Sequence, residues 1–403
     1  MDSMNQTLIC FTASYPYGKA ETYFENELLY LADHFDKVVI IPTYNPYGNV
    51  QRKVPDNVTV FSPSLEQSKF RFFRDFLYSF NLNKLFVKEF IKRDVYKNKS
   101  KLKSWFLTLV SHNAGLKKFR KYKFDADTSV LYSYWAGKSF FFEKELSKYL
   151  KVVRMHGGDF YEERNSGYLP LRKYIYDSAN VLLPISMDIQ SILEGHYRIN
   201  PEKIRLSYLG VRNTSTSCEL KNDSILEVVS CSNVYKLKRI NLIIDILRSL
   251  SQNYRIHWTH IGDGPLLSDV KNYFSSLENS NFTASFLGQK TQEEIANFYE
   301  MNYVDFFINT SEYEGLPVSI MEAFSYGIPA VATNVGGTRE IVNETNGILI
   351  DKEFNPVEIS KEIMALIETK GKQHRINAYE TWLTKFNADE NYKELAILLK
   401  TLN

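Results

Sequence analysis

Short apolar runs recur along the chain, most of them followed by a polar loop and a stretch with helical spacing. In the first half the runs are Leu8–Phe11, Val38–Ile41, Ser129–Ser133, Lys151–Met155 and Val181–Pro184. Each is short and apolar throughout, as a parallel strand covered on both faces should be. Between the first two, Thr22–His34 places Tyr23, Phe24, Leu28 and Leu31 on one helical face. After Val211 the pattern breaks into a polar stretch, 212–224. A second series then begins, with strands predicted at 226–230, 255–261, 282–287, 304–308 and 328–332 and helices at 242–250 and 291–299. The tail from 387 has helical spacing through Tyr392, Leu395, Leu398 and Leu399. Strands alternating with helices on both sides of a linker predict an α/β protein of two Rossmann-like, doubly wound domains facing a cleft. The expected limits are 1–211, a linker at 212–224, 225–386, and a C-terminal helix at 387–403 that packs back on the first domain.

Composition narrows this picture. A length of 403 residues with 44% hydrophobic content supports two or three cored domains, and a net charge of +2 implies no global attraction to nucleic acid. Cys10, Cys218 and Cys231 lie far apart, which argues against a disulfide framework or a zinc site. No apolar run approaches the ~20 residues of a membrane span, and no basic segment precedes a long apolar stretch at the N-terminus. The expected location is the cytoplasm. Segment 69–123 departs from this balance, with 16 Lys and Arg against 3 Asp and Glu and thirteen interleaved aromatics. Behind Ser68, Phe73, Phe76, Leu77 and Phe80 share one helical face, and Lys84, Lys88 and Lys92 share another. Two readings stand for this segment: a solvated basic surface over an aromatic core, or peripheral docking on anionic lipid headgroups of the inner membrane face. No recognised nucleic-acid module accompanies the charge.

The stretch 309–327 carries the main candidate chemistry. It holds Glu314 and Glu322, eight residues apart, between two predicted strands. Pro317 suits the first turn of an intervening helix and Gly327 its C-terminal end. N–H groups near Gly315 and Leu316 would then face outward with the positive end of the helix dipole. An anion there would have a carboxylate on either side, a pattern that suits a nucleotide-sugar. Asp125 and Asp127 form a D-x-D pattern, but they precede a strand and have no second ligand cluster, so no metal is expected.

These residues, with Ile261–Pro265, Phe286–Gly288, Thr291–Ile295 and Val335–Val342, resemble the E-x7-E signature and surrounding motifs of glycosyltransferase family 4. That family consists of retaining enzymes with the two-domain GT-B fold. Tyr15–Thr22, Arg154–Tyr161, Gly167–Arg172, Pro184–Ser186 and Leu206–Val211 resemble its bacterial surface-polysaccharide branch, which includes colanic acid-type enzymes. The resemblance implies transfer of a sugar from a nucleotide-diphosphate sugar to a glycan or lipid-linked acceptor, without a cofactor or metal. It implies His156 and Glu314 at the reacting sugar and Glu322 on the donor ribose. Gly18, Asn233, Lys238, Arg239, Gly262, Gly315 and Leu316 would complete the donor site, and Glu21, Asp159 and Tyr161 would meet the acceptor.

The chain departs from the family at the diphosphate loop. Ser232 and Arg239 stand where Gly is usual, and Asn233 where Arg is usual, so a bidentate cation is lost. Arg239 or Lys236 is the expected compensation. Two rival readings remain: a GT-B nucleotide-sugar epimerase or hydrolase, and a polysaccharide-assembly binding protein without turnover.

Overall fold

The computed structural model describes residues 6–48, 50–65, 83–213, 225–277, 280–369 and 371–402. It divides into two units: Met1–Tyr208 with Glu390–Asn403, and Leu209–Asp389. The expected amphipathic face of Phe73, Phe76, Leu77 and Phe80, and most of the expected linker, lie outside the described residues.

The first unit is a six-stranded parallel sheet in the order β3-β2-β1-β4-β5-β6. Its strands are β1 Thr7–Thr12, β2 Lys37–Pro42, β3 Val58–Val60, β4 Ser129–Ser133, β5 Leu150–Met155 and β6 Val181–Pro184. Five match the apolar runs. The short edge strand β3 was not predicted, because three residues carry no period of their own. Leu8, Cys10, Val38, Ile40, Val130, Tyr132 and Val152 form the core beneath the helix Thr22–His34. The closing helix Ala388–Thr401 adds Leu395, Ala396 and Leu399 to the same core, and Lys400 Nζ donates to His34 O at 2.6 Å.

One charged pair lies inside this core. Arg154 on β5 donates to Glu27 Oε2 at 2.9 Å, and both side chains are fully buried. Tyr132 Oη donates to the other oxygen of Glu27 at 2.6 Å, and Arg154 Nη2 reaches the carbonyls of Ser207 and Tyr208. The pair therefore ties the first helix, two strands and the end of the unit together.

The second unit repeats the topology, with order β12-β11-β10-β7-β8-β9, all parallel. The strands are β7 Ile225–Cys231, β8 Arg255–Ile261, β9 Phe282–Gly288, β10 Phe306–Asn309, β11 Ala330–Thr333 and β12 Gly347–Ile350. The helix Ile240–Leu250 buries Ile243, Ile244, Leu247 and Leu250 on a core built around Trp258. Thr291 and Glu294 form a reciprocal capping box at the helix Gln292–Met301. Leu209–Val211 belong to this unit, since Val211 N–H bonds Phe386 O and Ala388 N–H bonds Val211 O. Each sheet thus reverses its strand order once, between β1 and β4 and between β7 and β10, and loops at such reversals are where ligands bind.

Arg154→Ala should cost about 3–5 kcal/mol, because it leaves Glu27 buried in the core without its cation. Glu27→Leu with Arg154→Met should recover most of that loss. Urea unfolding measures both; a single variant within about 1 kcal/mol of the parent would show that the pair does not organise this core.

Candidate active site

In the second unit, the loop after β7 and the loop after β10 meet at the strand-order reversal. Lys238 on the first donates to Glu314 Oε1 on the second at 2.5 Å. The backbone fastens the two loops together. Glu312 N–H bonds Leu237 O at 2.7 Å, and Thr310 Oγ1 donates to the carbonyls of Lys238 and Arg239. Asn309, the last residue of β10, donates to Glu314 at 3.3 Å and accepts from Ser311 N–H. Burial alone would raise the Glu314 carboxyl; the Lys238 charge and bonds from Lys238, Ser311 and Asn309 outweigh it and hold the pKa below the usual value. Glu314 is therefore an ionised, fixed acceptor. Of Lys238's three N–H donors, Glu314 takes one.

Glu322 is the opposite case. It sits on the helix Val318–Ser325, is 9% exposed, and its carboxylate meets no hydrogen-bond donor among the described residues. Burial pushes its pKa up to about 7. The helix begins at Val318 with Pro317 in the cap position, one residue later than predicted, and Gly327 ends it at φ 65°. Gly315 O accepts from Gly337 N–H at 3.0 Å, while the Gly315 and Leu316 N–H groups meet no acceptor among the described residues.

Arg239 braces two backbone carbonyls. Its Nε donates to Thr310 O and its Nη1 to Lys352 O, both at 2.7 Å, while its buried Nη2 meets no partner among the described residues. Its φ is 49°, the conformation that the glycine usual at this position would adopt freely. The arginine costs roughly 1–2 kcal/mol of backbone strain there, which the two hydrogen bonds offset. Lys236 and Asn233 are exposed. Gly262 has a packing reason: a Cβ there would lie 1.9 Å from Ser232 O, where the β7 and β8 loops cross.

In the first unit, Glu21 is already occupied. Its carboxylate accepts from the N–H groups of Ala13, Ser14 and Tyr15 and from Trp135 Nε1, at 2.6–2.9 Å. It shapes the loop after β1, in which Gly18 takes φ 72°. Asp159 likewise accepts from His156 N–H at 3.0 Å and Gly137 N–H at 3.2 Å, and Tyr161 Oη donates to Asp188 at 2.6 Å. These three residues, expected to touch an acceptor, make bonds that hold the loops. His156 stands between the rings of Tyr134 and Trp135, each centroid 4.5 Å away. Burial, then the charge of Arg154, pushes its pKa well below the ordinary value, against a bond to the Tyr134 backbone. The imidazole is neutral, and its buried Nε2 has no partner. Tyr134, Trp135 and Asn309 are the site residues that sequence reasoning missed; each is a polar or aromatic residue at or just past a strand's carboxyl end.

Lys84, Lys88 and Lys92 lie on the helix Lys84–Lys92, all exposed, with Val87 and Ile91 also exposed beside them. Asp125 and Asp127 form a turn closed by Asp127 N–H on Asp125 Oδ1, and among the described residues no cluster of metal-ligating side chains occurs. No helix among them is long and apolar enough to cross a membrane.

Residues 216–381 match the model of glycosyl transferases group 1. The O-antigen biosynthesis glycosyltransferase WbnH of Escherichia coli is 36% identical over 114 residues, 28% of this chain and 30% of that protein. The amylovoran biosynthesis glycosyltransferase AmsK of Erwinia amylovora is 24% identical over 268 residues, 62% of this chain and 64% of the relative. The chain thus spans less than two thirds of the length of the curated relatives it matches. Among solved structures, HepE of Anabaena in complex with UDP and glucose aligns at TM-score 0.64 with 16% identity, covering 98% of this chain and 100% of that one. Sucrose-phosphate synthase from Thermosynechococcus elongatus aligns at TM-score 0.72 with 14% identity over 98% and 99%. The fold is of the GT-B class, with two Rossmann-like units.

Glu322 makes stability depend on pH. The native carboxyl keeps its proton up to about pH 7, whereas the unfolded one loses it near 4.5. The native state therefore binds the extra proton between those values, and stability falls as pH rises through that window. At 1.36 kcal/mol per unit the full loss is roughly 3 kcal/mol. Glu322→Gln should remove this component and be more stable than the parent at pH 8. Urea unfolding at pH 5 and pH 8 decides; equal pH slopes for the two proteins would contradict a buried, unpaired carboxylate.

Proposed function

We propose that this chain is a retaining glycosyltransferase of family 4 that moves a sugar from a nucleotide-diphosphate sugar to a glycan or lipid-linked acceptor in surface-polysaccharide synthesis. The observation that carries this reading is the Lys238–Glu314 pair over the strand-order reversal, with Glu322 buried and unpaired on the adjoining helix. The family match and the relatives' roles in polysaccharide synthesis support it.

In this reading Glu322 accepts hydrogen bonds from the donor ribose, which would supply the partner its carboxylate lacks. Glu314 accepts from a hydroxyl of the transferred sugar while orienting Lys238. The remaining Lys238 donors and the Gly315 and Leu316 N–H groups take the diphosphate, and the charge released on the leaving phosphate is stabilised without a metal. Attack occurs from the same face as departure, and the leaving phosphate takes the acceptor's proton. Glu314 is a clamp in this scheme, since an ionised carboxylate already bonded to an ammonium is a poor nucleophile. His156, neutral and with Nε2 free, accepts from a substrate hydroxyl.

Lys238→Ala should weaken nucleotide binding at least tenfold by calorimetry and lower turnover in parallel. Glu314→Gln should leave nucleotide affinity within about threefold while cutting kcat by 10²-fold or more, the scale of a lost charge-assisted contact to the reacting group. Unchanged affinity in the lysine variant would sink the diphosphate assignment. Full turnover in the glutamine variant would sink the clamp.

The exposed Lys84, Lys88 and Lys92 and the adjacent Val87 and Ile91 dock this enzyme on an anionic membrane. Co-sedimentation with phosphatidylglycerol vesicles should exceed that with phosphatidylcholine alone and should drop in Lys84→Ala. Equal binding to both vesicle types would rule out the electrostatic attraction.

A further inference from the structure

The described part of the first unit contains a cavity of about 280 Å³ behind the loop that carries His156. One wall is the helix Lys84–Lys92 and the other is the start of the helix Arg172–Ser178. Five cationic side chains line it against two carboxylates. Much of that charge is already answered. Arg93 is held by both oxygens of Glu162 at 2.7–2.8 Å, and Lys173 by Asp177 at 2.5 Å. Three cations are left. Lys88 and Lys92, one turn apart, make no ion pair among the described residues. Arg172 is buried, and its guanidinium bonds only carbonyl oxygens, of Asp159 at 3.2 Å and Pro170 at 3.4 Å. Gly137 leaves room for it, since a Cβ there would come within 2.9 Å of Nη2. Glu89 also lines the cavity, where its carboxylate accepts from Leu171 N–H at 3.1 Å, but it is one of only two carboxylates set against five cations.

We infer that this cavity binds a phosphate-bearing group. A planar guanidinium fixed in place, with two lysine ammonium groups lining the same half-open cavity, is an arrangement that recognises phosphate by charge-assisted hydrogen bonds. Five cationic side chains against two carboxylates leave an excess of positive charge around one cavity, which costs free energy unless an anion relieves it. Val87 and Ile91, 38% and 65% exposed, directly precede Lys88 and Lys92 on the same helix and bear on what the phosphate is attached to. A ligand with a phosphate head and an apolar tail would satisfy the cavity and cover these side chains together. The site is built wholly from the first unit and holds whether or not the second unit transfers a sugar. It also joins His156 mechanically, because Arg172 donates to the backbone of Asp159, whose carboxylate fixes His156 N–H.

The test is hydrogen exchange on the full chain, titrated separately with farnesyl diphosphate and with inorganic pyrophosphate. Peptides covering 84–93 and 162–174 report the cavity, and peptides covering 312–322 report the nucleotide site. Farnesyl diphosphate should slow exchange in the cavity peptides. Lys88→Ala with Lys92→Ala, and separately Arg172→Gln, should each weaken that protection at least tenfold while leaving UDP-induced protection of 312–322 in place. Tighter binding of farnesyl diphosphate than of pyrophosphate supports an amphiphile; equal binding supports a free phosphate compound and overturns the part assigned to Val87 and Ile91. No protection of the cavity peptides by either probe up to about 10 mM, or equal protection in the parent and the lysine variant, would overturn the site. Failure of UDP to protect 312–322 in the parent would count against the glycosyltransferase reading alone.

Discussion

A carboxylate that stays ionised while buried where a parallel sheet reverses its strand order needs a cation beside it. In the second unit that carboxylate is Glu314, and Lys238 is the cation. The loops that carry them leave neighbouring strands and would diverge. They are held together by Glu312 on Leu237, Thr310 on Lys238 and Arg239, and Arg239 on Thr310 and Lys352. The ion pair therefore closes a structure that the backbone has already assembled. This explains why Arg239 tolerates a left-handed conformation: its side chain is part of the fastening, where a glycine would supply only the turn.

The neighbouring Glu322 shows the complementary principle. A carboxyl with no partner in the folded chain carries an unmet demand for hydrogen bonds, and its raised pKa records that demand. His156 in the first unit is a second instance, a neutral ring with a buried nitrogen that has no partner among the described residues. Residues such as Glu21 and Asp159 look equally functional in sequence, yet Glu21 accepts from three backbone N–H groups and Trp135 Nε1, and Asp159 from two backbone N–H groups. In the proposed reading the partnerless Glu322 and His156 meet the substrate, and the bonded carboxylates hold the loops that aim them. The cationic cavity follows the same logic with charge in place of hydrogen bonds.

The amino-acid sequence alone determined the strand–helix alternation, the existence of two doubly wound units and the placement of Glu314 and Glu322 on one loop and helix. These are local properties: apolar runs, a proline at one end of a helix and a glycine at the other. It also marked Arg239 as standing in a glycine position. Only the tertiary structure decided what each polar residue does, because that depends on partners distant in sequence. Lys238 meets Glu314 across 76 residues and Trp135 meets Glu21 across 114. The carbonyls that hold Arg239 lie 71 and 113 residues further on, so its bracing bonds were equally out of reach of the sequence. Edge strands such as β3 and β12 were illegible for a related reason: three or four residues become a strand only when a neighbour supplies the hydrogen bonds.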